Sequence, residues 1–98
     1  MREYQVEDLL RDGVKKIGGK AYKFVSPGNA GVPDRVVILP GGHVCFVELK
    51  GTRGKLSPLQ TMQISTISRL QGDVRVISSK EQVEEFLDYC KFIVNEVK

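Results

Sequence analysis

The amino-acid sequence predicts an α/β protein, a mixed four-stranded sheet flanked by helices. Three observations carry this. Apolar residues recur at helical spacing in three stretches, near the start, in the middle and at the end. Four short runs rich in β-branched and aromatic residues separate them. The resulting order is α-β-β-β-α-β with an extra C-terminal helix. A meander of three strands, a crossover helix and a fourth strand should give a right-handed crossover, with the fourth strand parallel to one member of the meander. The helices then cover the faces of the sheet.

Residues 3–17 place Val6, Leu9, Leu10, Val14 and Ile17 on one helical face, and Gly18-Gly19 ends the helix. Residues 21–25 form a short strand. Residues 26–33, S-P-G-N-A-G-V-P, form a loop dense in glycine and proline. Residues 35–39 and 44–49 are strands two and three, joined by the P-G-G-H turn. Residues 51–55, G-T-R-G-K, form a basic loop. Ser57 is the expected N-cap of the second helix, with Pro58 in its first turn and Gln60 completing a capping box. Leu59, Met62, Gln63, Ile67 and Leu70 follow, and Gly72 ends it. Residues 74–77 are strand four. Ser79 caps a last helix with the stripe Val83, Phe86, Leu87, Cys90, Ile93, Val94 and Val97.

At 98 residues the chain is expected to be one domain, residues 1–98, with one modest core. Its 41% apolar and 28% charged content fits a globular protein and excludes a disordered one. No apolar run approaches the roughly 20 residues of a membrane helix. Acids stand near the N-terminus where a signal peptide would be apolar, so a cytoplasmic protein with no membrane partner is expected. The net charge of +3 permits nucleic-acid binding. Cys45 and Cys90, far apart in sequence, read as reduced core residues. A zinc site is disfavoured, because only His43 could join them, and His43 itself reads as a turn residue.

Residues 33–50 carry the chemistry. Asp34 and Glu48 sit on opposite arms of a hairpin, at the same end of the sheet. Lys50 follows Glu48 by two residues and shares its strand face. Two carboxylates and a lysine at one point make a hard-cation site with a positive charge beside it, the equipment for phosphodiester hydrolysis. A two-residue turn at Gly41-Gly42 would pair Asp34 with Leu49 and aim the acids at opposite faces. The functional reading therefore requires an odd-length loop, or a bend at Pro33-Asp34. The plain alternative is a surface Glu48–Lys50 ion pair, contributing about 0–1 kcal/mol.

The chain resembles a known family at these residues. Asp34, Glu48 and Lys50 look like the signature of the PD-(D/E)xK nuclease superfamily, whose restriction-endonuclease-like core has the α-β-β-β-α-β order. G-V-P-D-R, V-E-L-K and S-P-L-Q together resemble the VRR-NUC family more closely, over residues 3 to about 83. The resemblance implies a Mg²⁺- or Mn²⁺-dependent endonuclease acting on DNA as an oligomer, similar to phage nucleases and, in fold, to Holliday-junction resolvases. It implies that Asp34, Glu48 and the Leu49 backbone carbonyl hold the cation. Glu7 would reach it through water, with Glu3 one turn earlier as the alternative. Lys50 would act at the phosphate, and Gln60 would point into the site as well as cap its helix. Ser26, Gly28 and Asn29 could shape the substrate mouth or simply form a turn. Arg53 and Lys55 could contact phosphates, and Lys15, Lys16, Lys20 and Lys23 could extend that surface. A symmetric homodimer that cuts branched DNA is expected, because one small domain offers one metal site. The competing readings are a generic duplex nickase and a non-catalytic nucleic-acid-binding module that keeps the fold.

Overall fold

The computed structural model describes residues 1–96. The elements are α1 (Glu3–Lys16), β1 (Lys20–Lys23), β2 (Arg35–Ile38), β3 (Val44–Leu49), α2 (Pro58–Arg69), β4 (Asp73–Ile77) and α3 (Lys80–Glu96). The sheet order is β1-β2-β3-β4. β1, β2 and β3 pair antiparallel, and β4 runs parallel to β3. This is the predicted mixed α/β sheet. Strand four begins one residue earlier than expected and strand one ends two residues sooner. Val97 of the expected last stripe lies outside the described residues.

One face of the sheet forms the core. Alternation along each strand turns Ala21, Val37, Cys45, Val47, Leu49 and Ile77 to the same side. They meet Val6, Leu10 and Val14 of α1 and Val83, Phe86, Cys90 and Val94 of α3. Both cysteines are free and buried there. α2 takes no part in this core and buries no residue fully. Its expected apolar stripe is therefore corrected: Leu59, Met62 and Leu70 are exposed. The helix instead leans on β4 through its inner side, where the Ile67 side chain lies against Gly72. Phe92 on α3 is also exposed.

The β2–β3 loop decides the site. Ile38 and Val44 are the last paired residues, and Leu39 N–H donates to the His43 carbonyl at 2.9 Å. Five residues, 39–43, therefore separate the last pair. Gly41 and Gly42 make the reversal at φ of 94° and 91°, backbone that only glycine adopts without strain. The loop is odd, as convergence of the two acids requires. Arg35 stands opposite Val47, so one step further Asp34 stands opposite Glu48.

Candidate active site

Asp34 sits at a bend between buried Pro33 and the start of β2. Its carbonyl accepts from Phe24 N–H at 2.9 Å, which ties the end of β1 to it. Its Oδ2 accepts from Leu49 N–H at 2.8 Å, across the hairpin. The carboxylate is thereby fixed beside the Glu48–Leu49 peptide. Glu48 is 1% exposed, and neither carboxylate oxygen has a hydrogen-bond partner. Lys50 Nζ lies 3.6 Å from Glu48 Oε2. Burial, followed by the negative charge of Asp34, pushes the Glu48 pKa up to about 7 against the opposing pull of Lys50. This pair is no surface salt bridge, since the Lys50 side chain is itself mostly covered.

The loop before Asp34 is held against the start of α2. Gly31, at φ of 88°, approaches the backbone of Leu59 and Gln60 so closely that a Cβ would stand 2.6 Å from the Leu59 carbonyl carbon. Gln63 Nε2 donates to the Ala30 carbonyl at 3.3 Å. The N-terminus of α2 is thus seated on the segment that delivers Asp34. Ser57 and Gln60 form the predicted capping box: Gln60 N–H donates to Ser57 Oγ at 3.1 Å, and Ser57 N–H to Gln60 Oε1 at 2.9 Å. The Gln60 side chain is therefore engaged in the cap.

The other predicted residues divide clearly. Glu7 is bound by Arg35, at 3.0 Å from Nη2 and 3.1 Å from Nε. Arg35 also donates to the Ala21 carbonyl at 2.8 Å and is almost wholly buried. Glu7 thus faces a guanidinium fixed between α1, β1 and β2, while Glu3 is exposed. Ser26 and Asn29 bond each other, Asn29 Nδ2 to Ser26 Oγ at 2.9 Å, in turn geometry. Arg53 and Lys55 are exposed in their loop, and Gly54 of that loop packs against the Lys50 side chain.

A half-buried and a buried carboxylate, the buried one orphaned, with a lysine at the rim have the composition of a cation-dependent hydrolytic centre. A family model for the VRR-NUC domain matches residues 3–81. The chain belongs to the VRR-NUC family. A protein of Acyrthosiphon pisum secondary endosymbiont phage 1, named "Putative nuclease p44", is 46% identical over 81 residues, which cover 83% of this chain and 87% of that protein. A solved structure described as "VRR_NUC domain" matches with a TM-score of 0.82 and 30% identity, over 89% of this chain and 95% of that one.

At the opposite end of the VRR-NUC sheet lies a cluster that sequence reasoning missed. Asp73 Oδ2 is 2.9 Å from His43 Nε2 and 3.5 Å from Cys45 Sγ, and Tyr89 Oη donates to it. Arg75 Nε donates to Oδ1 at 2.8 Å and its guanidinium lies over the Tyr89 ring. His43, Cys45 and Asp73 bring their ligand-type atoms within 4.8 Å of one another, a second candidate metal site. The expectation that only His43 could join the cysteines is corrected by Asp73. The parallel register pairs Asp73 with Cys45, a contact invisible without the crossover. Burial raises the Asp73 pKa, but hydrogen bonds from Arg75, Tyr89 and His43 and the charge of Arg75 outweigh it and hold the carboxyl well below the usual range. The Cys45 thiol is pushed far up by burial, then by Asp73. A soft cation here would have to displace donors that already satisfy the carboxylate.

No helix among the described residues is long and apolar enough to cross a membrane.

Proposed function

We propose that this VRR-NUC protein is a metal-dependent endodeoxyribonuclease that hydrolyses phosphodiester bonds. The observation that supports it most is Glu48. A buried carboxylate with neither oxygen hydrogen-bonded is costly in a folded protein. Its cost is relieved if a cation sits between it and Asp34. All-oxygen donors favour a hard ion, Mg²⁺ or Mn²⁺, over a soft one. Asp34, Glu48 and the Leu49 carbonyl would hold it. When bound, the cation supplies Lewis acidity and a water of lowered pKa.

The protein's own groups do the rest. Lys50, at the rim of the acid pair, would neutralise charge that builds on the scissile phosphate or orient the attacking water. Leu49 N–H holds Asp34 in place for this work. Glu7 would add an outer carboxylate through water, with Arg35 fixing its position. Gln60 retains its amide Nε2 for a polar contact while Oε1 caps the helix. Ser26 and Asn29 would shape the mouth, and Arg53 and Lys55 would meet phosphates.

The finer reading is a homodimer that cuts branched DNA, four-way junctions first, on paired strands. Its support is size and symmetry: one small domain carries one acid pair, and two-fold pairing supplies two matched cuts. The test is cleavage of single-stranded, duplex, flap and four-way-junction DNA with Mg²⁺ and with Mn²⁺, alongside light scattering at micromolar protein. Junction preference in a dimer is expected. A monomer with equal rates on linear duplex would reduce the reading to a nickase, and no cleavage of any substrate with either ion would remove it.

A further inference from the structure

Between α1 and the outer strand β1 lies a cleft of about 580 Å³. Its wall carries Arg11, Lys15, Lys20, Tyr22, Lys23 and Arg35, five cations and no carboxylate. The cations are not equivalent. Glu7 neutralises Arg35, and Arg11 pairs with Asp8 and Asp12. Lys15, Lys20 and Lys23 have no ion pair among the described residues, and all three are exposed. Three unpaired lysines on one cleft make its wall locally positive.

The cleft ends close to the acid pair along the chain, although Arg35 and Val47 face α1 and Glu48 faces the other side of the sheet. Lys23 stands opposite Arg35 in the β1–β2 ladder, one residue from Asp34, and Phe24 N–H is bonded to the Asp34 carbonyl. From Lys23 the strand leads away to Lys20, a rise of roughly 10 Å, comparable with the axial rise of three nucleotides on one strand. Lys20 Nζ sits 4.7 Å over the Tyr22 ring, which holds its flexible stem near the groove. β1 is the edge strand, so nothing in the sheet covers this flank. Lysine contacts to phosphate oxygens carry no sequence information.

We infer that the α1–β1 cleft is a sequence-independent track for a DNA phosphate backbone, with Lys15, Lys20 and Lys23 gripping the duplex away from the acid pair. This rests on the nuclease reading for its position along the substrate. It adds a surface distinct from Arg53 and Lys55, which lie in the loop beyond β3.

The test compares the wild-type protein with a triple variant, Lys15→Gln, Lys20→Gln and Lys23→Gln. A control variant, Arg69→Gln, Lys80→Gln and Lys91→Gln, removes the same charge from α2 and α3. Binding of a fluorescein-labelled 30-base-pair duplex is followed by anisotropy in EDTA over a salt series. Turnover of bis-p-nitrophenyl phosphate, too small to reach the cleft, is measured with Mn²⁺. The cleft variant should weaken duplex binding at least tenfold and lower the slope of log K against log salt by roughly 2–3, close to 0.9 per lost contact. The control should fall much less, and diester turnover should be unchanged in both variants. Wild-type affinity and slope in the cleft variant, or an equal loss in the control, would overturn the track. Failure of every protein to turn over the diester tells against the nuclease reading alone, because duplex binding still decides the cleft.

Discussion

Glu48 and Asp73 are acids on the same sheet with opposite fates. They lie on neighbouring strands, at opposite ends of the β3–β4 ladder. Asp73 accepts from Arg75, Tyr89, His43 and Cys45, and its pKa is held well below the ordinary range. Glu48 accepts nothing and has a second carboxylate for a neighbour, and its pKa is raised to about 7. Burial penalises charge at both ends; at Asp73 hydrogen bonds outweigh it, and at Glu48 the nearby Lys50 does not. Asp73 is therefore a knot that ties the β2–β3 turn, β4 and α3 together. Glu48 is left without a hydrogen-bond donor.

The sharpest way to break this contrast is to neutralise each acid at constant shape. Asp34→Asn or Glu48→Gln should lower DNA cleavage by ~10³-fold or more, since each removes a hard anionic ligand worth several kcal/mol at the transition state. DNA binding should survive or tighten, because less negative charge faces the phosphates. Wild-type turnover in either variant would refute the assignment of the pair. Lys50→Ala should come next, with a loss of about 10²–10³-fold in kcat, the scale for removing one transition-state stabiliser. Metal affinity, measured by Mn²⁺ titration, should persist; its disappearance would make Lys50 structural.

Asp73→Asn should do the reverse. It weakens charge-assisted hydrogen bonds and should cost about 1.5–3 kcal/mol of stability in urea unfolding. Cleavage per folded molecule should stay near wild type, and a specific loss of turnover would bring the two ends of the sheet into one site. The smallest effect is in the pH dependence. Folded metal-free Glu48 keeps its proton up to about pH 7, against about 4.5 ordinarily. The folded chain then binds more protons in that window, and stability should fall as pH rises through it. Asp73 acts with the other sign: its contribution is present above the ordinary carboxylate range and is lost as pH falls through its depressed value. In Glu48→Gln the decline between pH 4.5 and 7 should vanish, while the acid limb set by Asp73 remains. A wild-type profile flat over that window would show that Glu48 is satisfied in solution. Mn²⁺ affinity should rise with pH across the same range, because the cation must displace the Glu48 proton.

Much of this was legible in the sequence. The period-2 and period-3.6 patterns placed all seven elements within about two residues at their ends. The Ser57–Gln60 cap was readable because both partners lie within one turn. The odd β2–β3 loop followed from requiring Asp34 and Glu48 to share a face, and the ladder has that parity. The misses involve partners remote in sequence. Arg35 belongs to the P-D-R motif, yet its partner Glu7 lies 28 residues away. Asp73 lies just outside the expected strand of residues 74–77, and no local pattern marks it. The exposed apolar residues of α2 obey the same helical spacing as buried ones, so periodicity could not tell that Leu59 and Met62 face outward.

The sequence by itself determined the order of elements, the family, and which acids meet at the end of the hairpin. Those depend on local backbone preferences and on strand parity, which neighbouring residues specify. Only the tertiary structure decided how each charge is solvated. It placed four donors around Asp73 and only the Lys50 ammonium, 3.6 Å away, beside Glu48, and among the described residues it left Lys15, Lys20 and Lys23 without acids. The free energy of a charge depends on which groups surround it in three dimensions, and chain crossover brings those groups from distant positions.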